Sequence, residues 1–378
     1  MEIIINGRFL TQKITGVQRY ARELVQALDV ILPTKPGLKI TVVSPRLSEA
    51  PPSWHNILHI EAGHLRGHAW EQLELPYFSK GRLLFCPGNT APVVSLLGFQ
   101  RVVVTVHDLS FRHFPSAYSS TFRLWYNFIV PLALRRADAV ITVSEAERVA
   151  ILEHYPTAAA TLHAIHNGCL PSGVQFERQP SDDGGADRKY ILYVGSLSRH
   201  KNFNGVFEAA CRLVGKRDFH FVFVGGLEGG IVAPDLKITQ GLSRNITFAG
   251  RVDDATLFRY YRGAACFLFP SFYEASGLPP LEAMAFGCPT VVSNIPALKE
   301  RCGDAAIYCD PYDVESITAA VERIMDDGDL RAKLQTLGYQ RAASLTWEDC
   351  AARTLDLLYR CALRGNASAD PAVTSRPT

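Results

Sequence analysis

Two glutamates, Glu274 and Glu282, stand eight positions apart in the stretch FYEASGLPPLEAMAFG (272–287), around a Gly-Leu-Pro-Pro step. The apolar run FLFP just before it reads as a strand, and Pro279 and Pro280 suit the first turn of a helix. Gly277 and Leu278 then present free amides at that helix's N-terminus, where an anion is favoured. Glu274 falls in the loop before the helix, and Glu282 is expected inside its first turn. Even on one continuous helix, eight residues at 100° each leave the two acids about 80° apart, so they do not form a face-to-face pair. A carboxylate does not bind phosphate directly, but it readily accepts hydrogen bonds from sugar hydroxyls. An anion site flanked by two hydroxyl acceptors describes a diphosphate between a ribose and a hexose. The plain alternative is a pair of acids favoured by a helix dipole. It accounts for Glu282 but not for Glu274.

Three further loops carry chemistry-bearing residues. In GSLSRHKN (195–202), Gly195 lets the chain turn closely, free amides open a helix, and Arg199 and Lys201 add mobile positive charge suited to a phosphate. A surface turn with solvated basic residues fits the same string. TVHDLS (105–110) ends a buried strand with His107 and Asp108. That is a place for chemistry or for a substrate hydroxyl, or for an Asx turn capping the strand. KITGVQRY (13–20) joins the first strand to the first helix, and Gly16 would let a ligand approach closely. A tight strand-to-helix turn explains that glycine as well. The string is not GxGxxG, so the fingerprint of a nicotinamide-binding loop is absent.

These loops need strands and helices to hold them, and the chain supplies both in alternation. EIIIN, KITVVS (39–44), LLFCP (83–87), RVVVTVHD (101–108) and AVITVS (139–144) read as strands, with helices expected over 17–28 and 118–136. Thr15 and Gln18 fit a capping box. The polar, glycine-rich stretch QPSDDGGADRK (179–189) interrupts the rhythm and reads as a linker. The pattern restarts with YILYVGS (190–196), FHFVFVGG (219–226), NITFAG (245–250), ACFLFP (265–270), PTVVS (289–293) and AAIYCD (305–310), interleaved with helices near 203–214, 254–261, 280–286 and 330–344. Continuously apolar strands suit parallel sheets covered on both faces, and strand–helix alternation suits right-handed crossovers. The expected architecture is therefore α/β: two doubly wound, Rossmann-like domains facing an interdomain cleft. The first domain spans 1–178 and the second 190–346, followed by a final helix over 347–363 and a tail over 364–378 that reads as disordered. Ligands of such sheets bind outside the carboxyl ends of the strands, where all four loops fall.

Bulk composition narrows the classes. With 39 Lys and Arg against 37 Asp and Glu, the net charge of +2 gives no support to general nucleic-acid binding. Nine cysteines without CxxC spacing read as small buried hydrophobes of a reducing compartment, not as a disulfide frame or zinc site. No basic n-region with a long apolar core opens the sequence. The apolar run FIVPLAL (128–134) is far short of the roughly 20 residues a membrane span needs. A cytoplasmic protein is expected. The aromatic and basic stretch FRLWYNFIVPLALRR (122–136) suits contact with a membrane surface, and an ordinary buried helix with a basic end suits its spacing too.

With these residues in place, the chain resembles the retaining glycosyltransferases of family 4, which have the two-domain GT-B fold. The likeness runs from INGRFLTQKITGVQRYARELV to LTWEDCAARTLDLLYR. It is carried most specifically by EASGLPPLEAMAFGCPTVVSN, which looks like that family's E-x7-E signature. VHD, ITVSEAER, IHNG (165–168) and GSLSRHKN follow in the right order, and GHAWEQLELP (67–76) looks like the subgroup with bacterial mannosyltransferases of polysaccharide assembly.

The resemblance implies roles. Glu274 would hold donor-sugar hydroxyls and Glu282 the ribose. The amides of Gly277 and Leu278, with Lys201, would neutralise the pyrophosphate. Gly16 would lie near it from the other domain, His107 would contact the donor sugar close to the reacting carbon, and GRVD (250–253), with Val252, would lie near the base. The final helix would cross back to the first domain. Many members carry arginine directly after the glycine of the lysine loop. Here that residue is Ser196, with Arg199 three positions on as a candidate substitute. The implied donor is GDP-mannose, and the implied acceptor is a saccharide or lipid-linked oligosaccharide of surface polysaccharide or lipopolysaccharide assembly. The protein itself would stabilise the leaving diphosphate, without a metal or other cofactor. Competing readings are a nucleotide-sugar epimerase or hydrolase on the same fold, and a non-catalytic sugar-nucleotide binding module. The first would share the cleft but lack the E-x7-E hydroxyl pair in this setting. The intact His107, Lys201, Glu274 and Glu282 argue against the second.

Overall fold

The computed structural model describes residues 1–48, 50–98, 100–171, 174, 190–217, 219–226 and 244–366. The expected linker at 179–189 and most of the expected tail lie outside the described residues. The chain divides into two compact units, one made of Met1–Arg112, Ser119–Ser172 and Trp347–Thr378, the other of His113–Tyr118 and Gly173–Thr346.

The first unit holds a seven-stranded sheet of β1 (Glu2–Asn6), β2 (Lys39–Ser44), β3 (Leu58–Glu61), β4 (Leu83–Cys86), β5 (Val102–Thr105), β6 (Ala139–Thr142) and β7 (Leu162–Ala164). Every pairing is parallel and the order is β3-β2-β1-β4-β5-β6-β7. Ile3, Ile4 and Ile5 are buried along β1, as are Val102, Val103 and Val104 along β5. Side chains on both faces of these strands meet helices, which is why the strands are apolar without alternation. Each fully buried Ile or Val contributes about 2 kcal/mol of apolar burial. Gln18 Oε1 accepts the backbone N–H of Thr15 at 3.2 Å, so the expected capping box starts the helix Gly16–Ile31. The final helix, Trp347–Asn366, belongs to this unit. Its Trp347 ring lies 5.9 Å from Tyr20, and Arg101 Nη1 donates to the carbonyl of Ala362 at 2.7 Å.

The second unit holds β8 (Tyr190–Val194), β9 (His220–Val224), β10 (Ile246–Gly250), β11 (Ala264–Phe269), β12 (Thr290–Ser293) and β13 (Ala306–Cys309), all parallel, in the order β10-β9-β8-β11-β12-β13. Tyr193, Phe203, Phe223 and Phe269 pack together beneath the carboxyl end of β8, with ring centroids 5.7–6.5 Å apart among the contacting pairs. At that end Gly225 has φ +135°, and a Cβ there would lie 1.9 Å from the carbonyl oxygen of Gly195. Only glycine permits the two chain segments to approach so closely.

In both sheets the order reverses direction at one place, between β1 and β4 in the first and between β8 and β11 in the second. Loops leaving the two strands at such a switch point diverge to opposite faces and leave a crevice at the carboxyl edge.

Candidate functional site

The second unit brings two of the sequence-derived loops together at its switch point. One follows β8 and contains Ser196, Arg199 and Lys201. The other follows β11 and contains Glu274, Gly277 and Leu278. The amide of Phe272 donates to the carbonyl of His200 at 3.0 Å, which ties the loops along their backbones. The side chains finish the join, since the Lys201 ammonium donates to Glu274 Oε1. That ammonium also lies 5.4 Å from the centroid of the Phe269 ring. Both members of the pair are mostly enclosed, so their attraction is less screened than at an open surface.

Each loop ends in a left-handed residue that opens a helix. Asn202 (φ +54°, ψ 38°) caps Phe203–Lys216, its Oδ1 accepting from the amide of Gly205 at 3.2 Å and its Nδ2 donating to the carbonyl of Pro311 at 2.7 Å. A non-glycine residue held in this region is strained, and the bond to Pro311 helps fix it there. Gly277 (φ +63°, ψ 50°) opens Leu278–Ala285. Pro279 and Pro280 have no N–H, so donors at this end are concentrated in Gly277 and Leu278. Two helix N-termini and one lysine thus converge on the crevice, a setting that favours an anion.

The two glutamates differ more than their spacing suggests. Glu274 is in the loop, as expected. The helix starts at Leu278, which puts Glu282 in its second turn and not its first. Glu282 is buried, and the hydroxyl of Tyr261 donates to its Oε2 at 2.9 Å. Tyr261 was not legible from sequence because it lies on another helix, Asp254–Gly263. Arg301 was missed for a similar reason. Its guanidinium is fully buried (0% exposed), and Nε donates to the carbonyl of Ser276 at 3.1 Å, directly before Gly277. The backbone carbonyl of Arg301 is held in turn by Arg341 Nε at 2.7 Å. A cation in the string ALKERCG reads as a solvated helix end, and only the tertiary fold turns it inward.

The remaining candidates are placed as follows. The Ser196 hydroxyl bonds that of Ser198 at 2.9 Å, which bonds His200 Nδ1 at 3.1 Å. The Arg199 side chain is exposed on the same loop. Val252 is half-buried after β10, and Asp253 caps the following helix, its Oδ1 accepting from Thr256 at 2.7 Å. In the first unit, Gly16 is the first residue of its helix, and a Cβ there meets nothing within 4 Å. β5 stops at Thr105, so His107 lies two residues beyond the strand, just past a last backbone bond to β6 from Val106 N to the carbonyl of Ile141 at 2.8 Å. His107 Nε2 donates to the carbonyl of Pro87 at 2.9 Å, its amide donates to Asn89 Oδ1 at 2.7 Å, and its ring meets Tyr20 edge-on at 4.6 Å. Burial lowers its pKa, outweighing the opposing effects of Pro87 and Asp108. The imidazole is therefore neutral, with Nδ1 left as an acceptor. The Asx turn also forms, since Asp108 Oδ1 accepts from Ser110 N at 2.9 Å.

Residues 14–170 match the family described as Glycosyltransferase Family 4, and residues 176–341 match glycosyl transferases group 1. The chain belongs to the group 1 glycosyltransferases. The O-antigen chain mannosyltransferase B of Escherichia coli is 28% identical to this glycosyltransferase over 94% of the chain and 99% of its own length. Among solved structures, sucrose-phosphate synthase from Thermosynechococcus elongatus aligns with a TM-score of 0.71 at 20% identity, covering 98% of this chain and 99% of its own. Anabaena HepE in complex with UDP-glucose aligns with a TM-score of 0.68 at 17% identity, covering 95% and 100%. The glycosyltransferase has the GT-B fold that the resemblance implied.

Proposed function

We propose that this glycosyltransferase moves mannose from GDP-mannose to a hydroxyl of a saccharide or lipid-linked oligosaccharide in surface-polysaccharide assembly, with retention of anomeric configuration. The observation that carries the reading is the Lys201–Glu274 pair at the β8/β11 switch point, between two helix N-termini. It puts a cation and free amides for a diphosphate beside a carboxylate for sugar hydroxyls. Glu282, steadied by Tyr261, serves the ribose. The choice of mannose rests on the likeness to the E. coli mannosyltransferase, and that of guanine on the resemblance of GHAWEQLELP to the mannosyltransferase subgroup.

In this reading the bond between the sugar's anomeric carbon and the phosphate oxygen breaks, and its electron pair stays on the departing diphosphate. Lys201 and the amides of Gly277 and Leu278 stabilise that charge most strongly as it develops. One such preorganised donor is worth about 3 kcal/mol, or roughly a hundredfold in rate. The acceptor hydroxyl attacks the same face of the anomeric carbon and passes its proton to the leaving phosphate oxygen. His107, neutral, accepts from a sugar hydroxyl. The reaction needs no metal ion.

No helix among the described residues is long and apolar enough to cross a membrane. A peripheral contact is part of the proposal. Leu124 (76% exposed) and Phe128 (52%) stand one turn apart on the helix Ser120–Arg136, with Arg123, Arg135 and Arg136 also exposed.

Calorimetry with GDP-mannose, UDP-glucose and UDP-GlcNAc tests the donor. GDP-mannose is expected to bind, and Glu282→Ala to weaken it. If none of the three binds the wild type, or if Glu282→Ala binds equally well, the donor site is misassigned. An inverted anomeric coupling in the product's NMR spectrum would remove the retaining mechanism.

A further inference from the structure

The amino edge of the first sheet carries a cavity of about 480 Å³, and the side chains of Lys80, Arg82 and Arg101 line it. Arg82 directly precedes β4 and Arg101 directly precedes β5, and these two strands are neighbours. The cavity has the size of a small-molecule site, roughly 300–1,000 Å³. Gly81, at φ +75°, turns the chain between Lys80 and Arg82, and a Cβ there would meet nothing within 4 Å, so the space beside it is open. Gln100 braces the wall. Its Nε2 donates to the carbonyl of Ser79 at 2.8 Å, and its Oε1 accepts from the buried Ser95 hydroxyl at 2.7 Å.

No carboxylate among the described residues lines the cavity. Glu2 and Asp138 stand at the same edge, but Glu2 is engaged by Arg82 Nε at 2.7 Å and Asp138 accepts the Val102 amide at 2.8 Å. Arg82 also donates from Nη1 to the carbonyl of Phe78 at 3.1 Å, which leaves its Nη2. Arg101 is anchored through Nη1 alone, to the carbonyls of Cys361 and Ala362 on the final helix. Carbonyls do not cancel a charge, and Nε and Nη2 of Arg101 make no hydrogen bond among the described residues. Lys80 has no ion pair or hydrogen bond among them. Three cations around one cavity repel one another, and a bound anion relieves that repulsion. A single arginine fork suffices for a planar carboxylate, whereas cations from three separate positions suit a phosphate, which offers acceptors in several directions. Pro76 and Val94 add an apolar wall for an organic group attached to it.

We propose that this cavity is a second anion site, which takes the phosphate group of a phosphate ester, with Lys80 and Arg101 as its contact residues and Arg82 held beside them by Glu2. The donor loops belong to the second unit and this cavity to the first. His107 lies past the opposite end of β5. A ligand in the cavity is therefore bound and not turned over, either as a soluble phosphate ester or as the phosphate of a lipid headgroup.

Calorimetry on the full chain with glycerol 3-phosphate tests the site, and flotation with phosphatidylglycerol vesicles tells the two sources apart. Glycerol 3-phosphate is expected to bind wild type. Lys80→Glu and Arg101→Gln are expected to weaken it by about fivefold or more, while Lys201→Ala leaves it unchanged. Each variant is first shown to melt like wild type, and Lys80→Glu, an exposed position, serves alone should Arg101→Gln unfold. No binding by wild type, equal binding by folded Lys80→Glu, or binding that disappears in Lys201→Ala overturns the inference. With binding established, flotation weakened by Lys80→Glu assigns the phosphate to a lipid headgroup. Flotation that is absent, or unchanged in Lys80→Glu, assigns it to a soluble ester.

Discussion

The hydroxyl of Tyr261 donates to the carboxylate of Glu282 at 2.9 Å, and both side chains are buried. Glu282 is thus aimed by a neighbour 21 residues earlier in the chain. Tyr261→Phe removes this bond and leaves the ring. Because the bond runs to a carboxylate, the loss should be about 2 kcal/mol of stability, read as a lower melting temperature. Nucleotide affinity should fall alongside, since the carboxylate is no longer oriented. An unchanged melting temperature together with unchanged calorimetry would show that the bond does not matter to either.

Gly277 and Gly16 make opposite predictions. Gly277 has φ +63°, and a Cβ there would lie 2.5 Å from Leu298 Cδ2. Gly277→Ala should cost about 1–3 kcal/mol in strain alone. A Cβ on Gly16 meets nothing within 4 Å, and its place in a helix favours alanine over glycine by up to about 1 kcal/mol. Gly16→Ala should therefore leave the fold intact or slightly stabilised. Any loss of activity in that variant supports a ligand approaching the glycine, and full activity would remove the role the resemblance implies for Gly16.

The alternation of apolar runs and helical periods made the two doubly wound sheets legible, because parallel strands buried on both faces carry their signal in every residue. β3 and β7 were not anticipated. β3 lies at a sheet edge, and its string LHIE is largely exposed. β7 has three residues, too few for any period to show. In the candidate site, the loop positions of Lys201 and Glu274 could be read from their place after strands. Their ion pair could not, because it depends on the strand order β8–β11, which brings together residues 73 apart in sequence. Tyr261 and Arg301 act from other helices, and a buried arginine in a charged string looks like a surface residue until the fold is known. Glu282 falls one turn later than the prolines suggest, because the chain is already helical at Leu278.

Positive charge at the leaving group comes from Lys201 and from helix amides in the proposed mechanism, so the reaction should survive metal removal. Exhaustive dialysis against EDTA should leave kcat within about twofold of its starting value, while Lys201→Ala should lose roughly a hundredfold. Activity that disappears on chelation and returns with Mg²⁺ or Mn²⁺ would show that a metal supplies that charge.

A membrane contact through Leu124 and Phe128 predicts flotation of the protein with vesicles containing anionic lipid. The exposed arginines at both ends of the helix make that binding salt-sensitive. Replacing both apolar residues, Leu124→Glu with Phe128→Glu, should abolish flotation without lowering the melting temperature, since both side chains are exposed in the free protein. Equal flotation of wild type and double variant would place any membrane contact elsewhere.

Acid should destabilise the protein in two stages, from two groups of the first unit. Burial lowers the His107 pKa below its ordinary value. The unfolded chain therefore takes up a proton as pH drops below about 6.5 while the folded chain resists, so stability falls with pH from there downward. Burial works to raise the Glu71 carboxyl, but the Arg8 guanidinium, His68 and Thr90 outweigh it and hold the pKa below the usual range. That stabilisation is complete above the unfolded carboxyl pKa of about 4.3 and disappears as pH falls through the lower folded value. Melting temperature should thus decline in a shallow step below about pH 6.5 and a steeper one below about pH 4.3. His107→Gln should remove the first step and leave the second. A first step that persists in His107→Gln would mean that another group, such as His59, whose pKa burial also lowers, governs it.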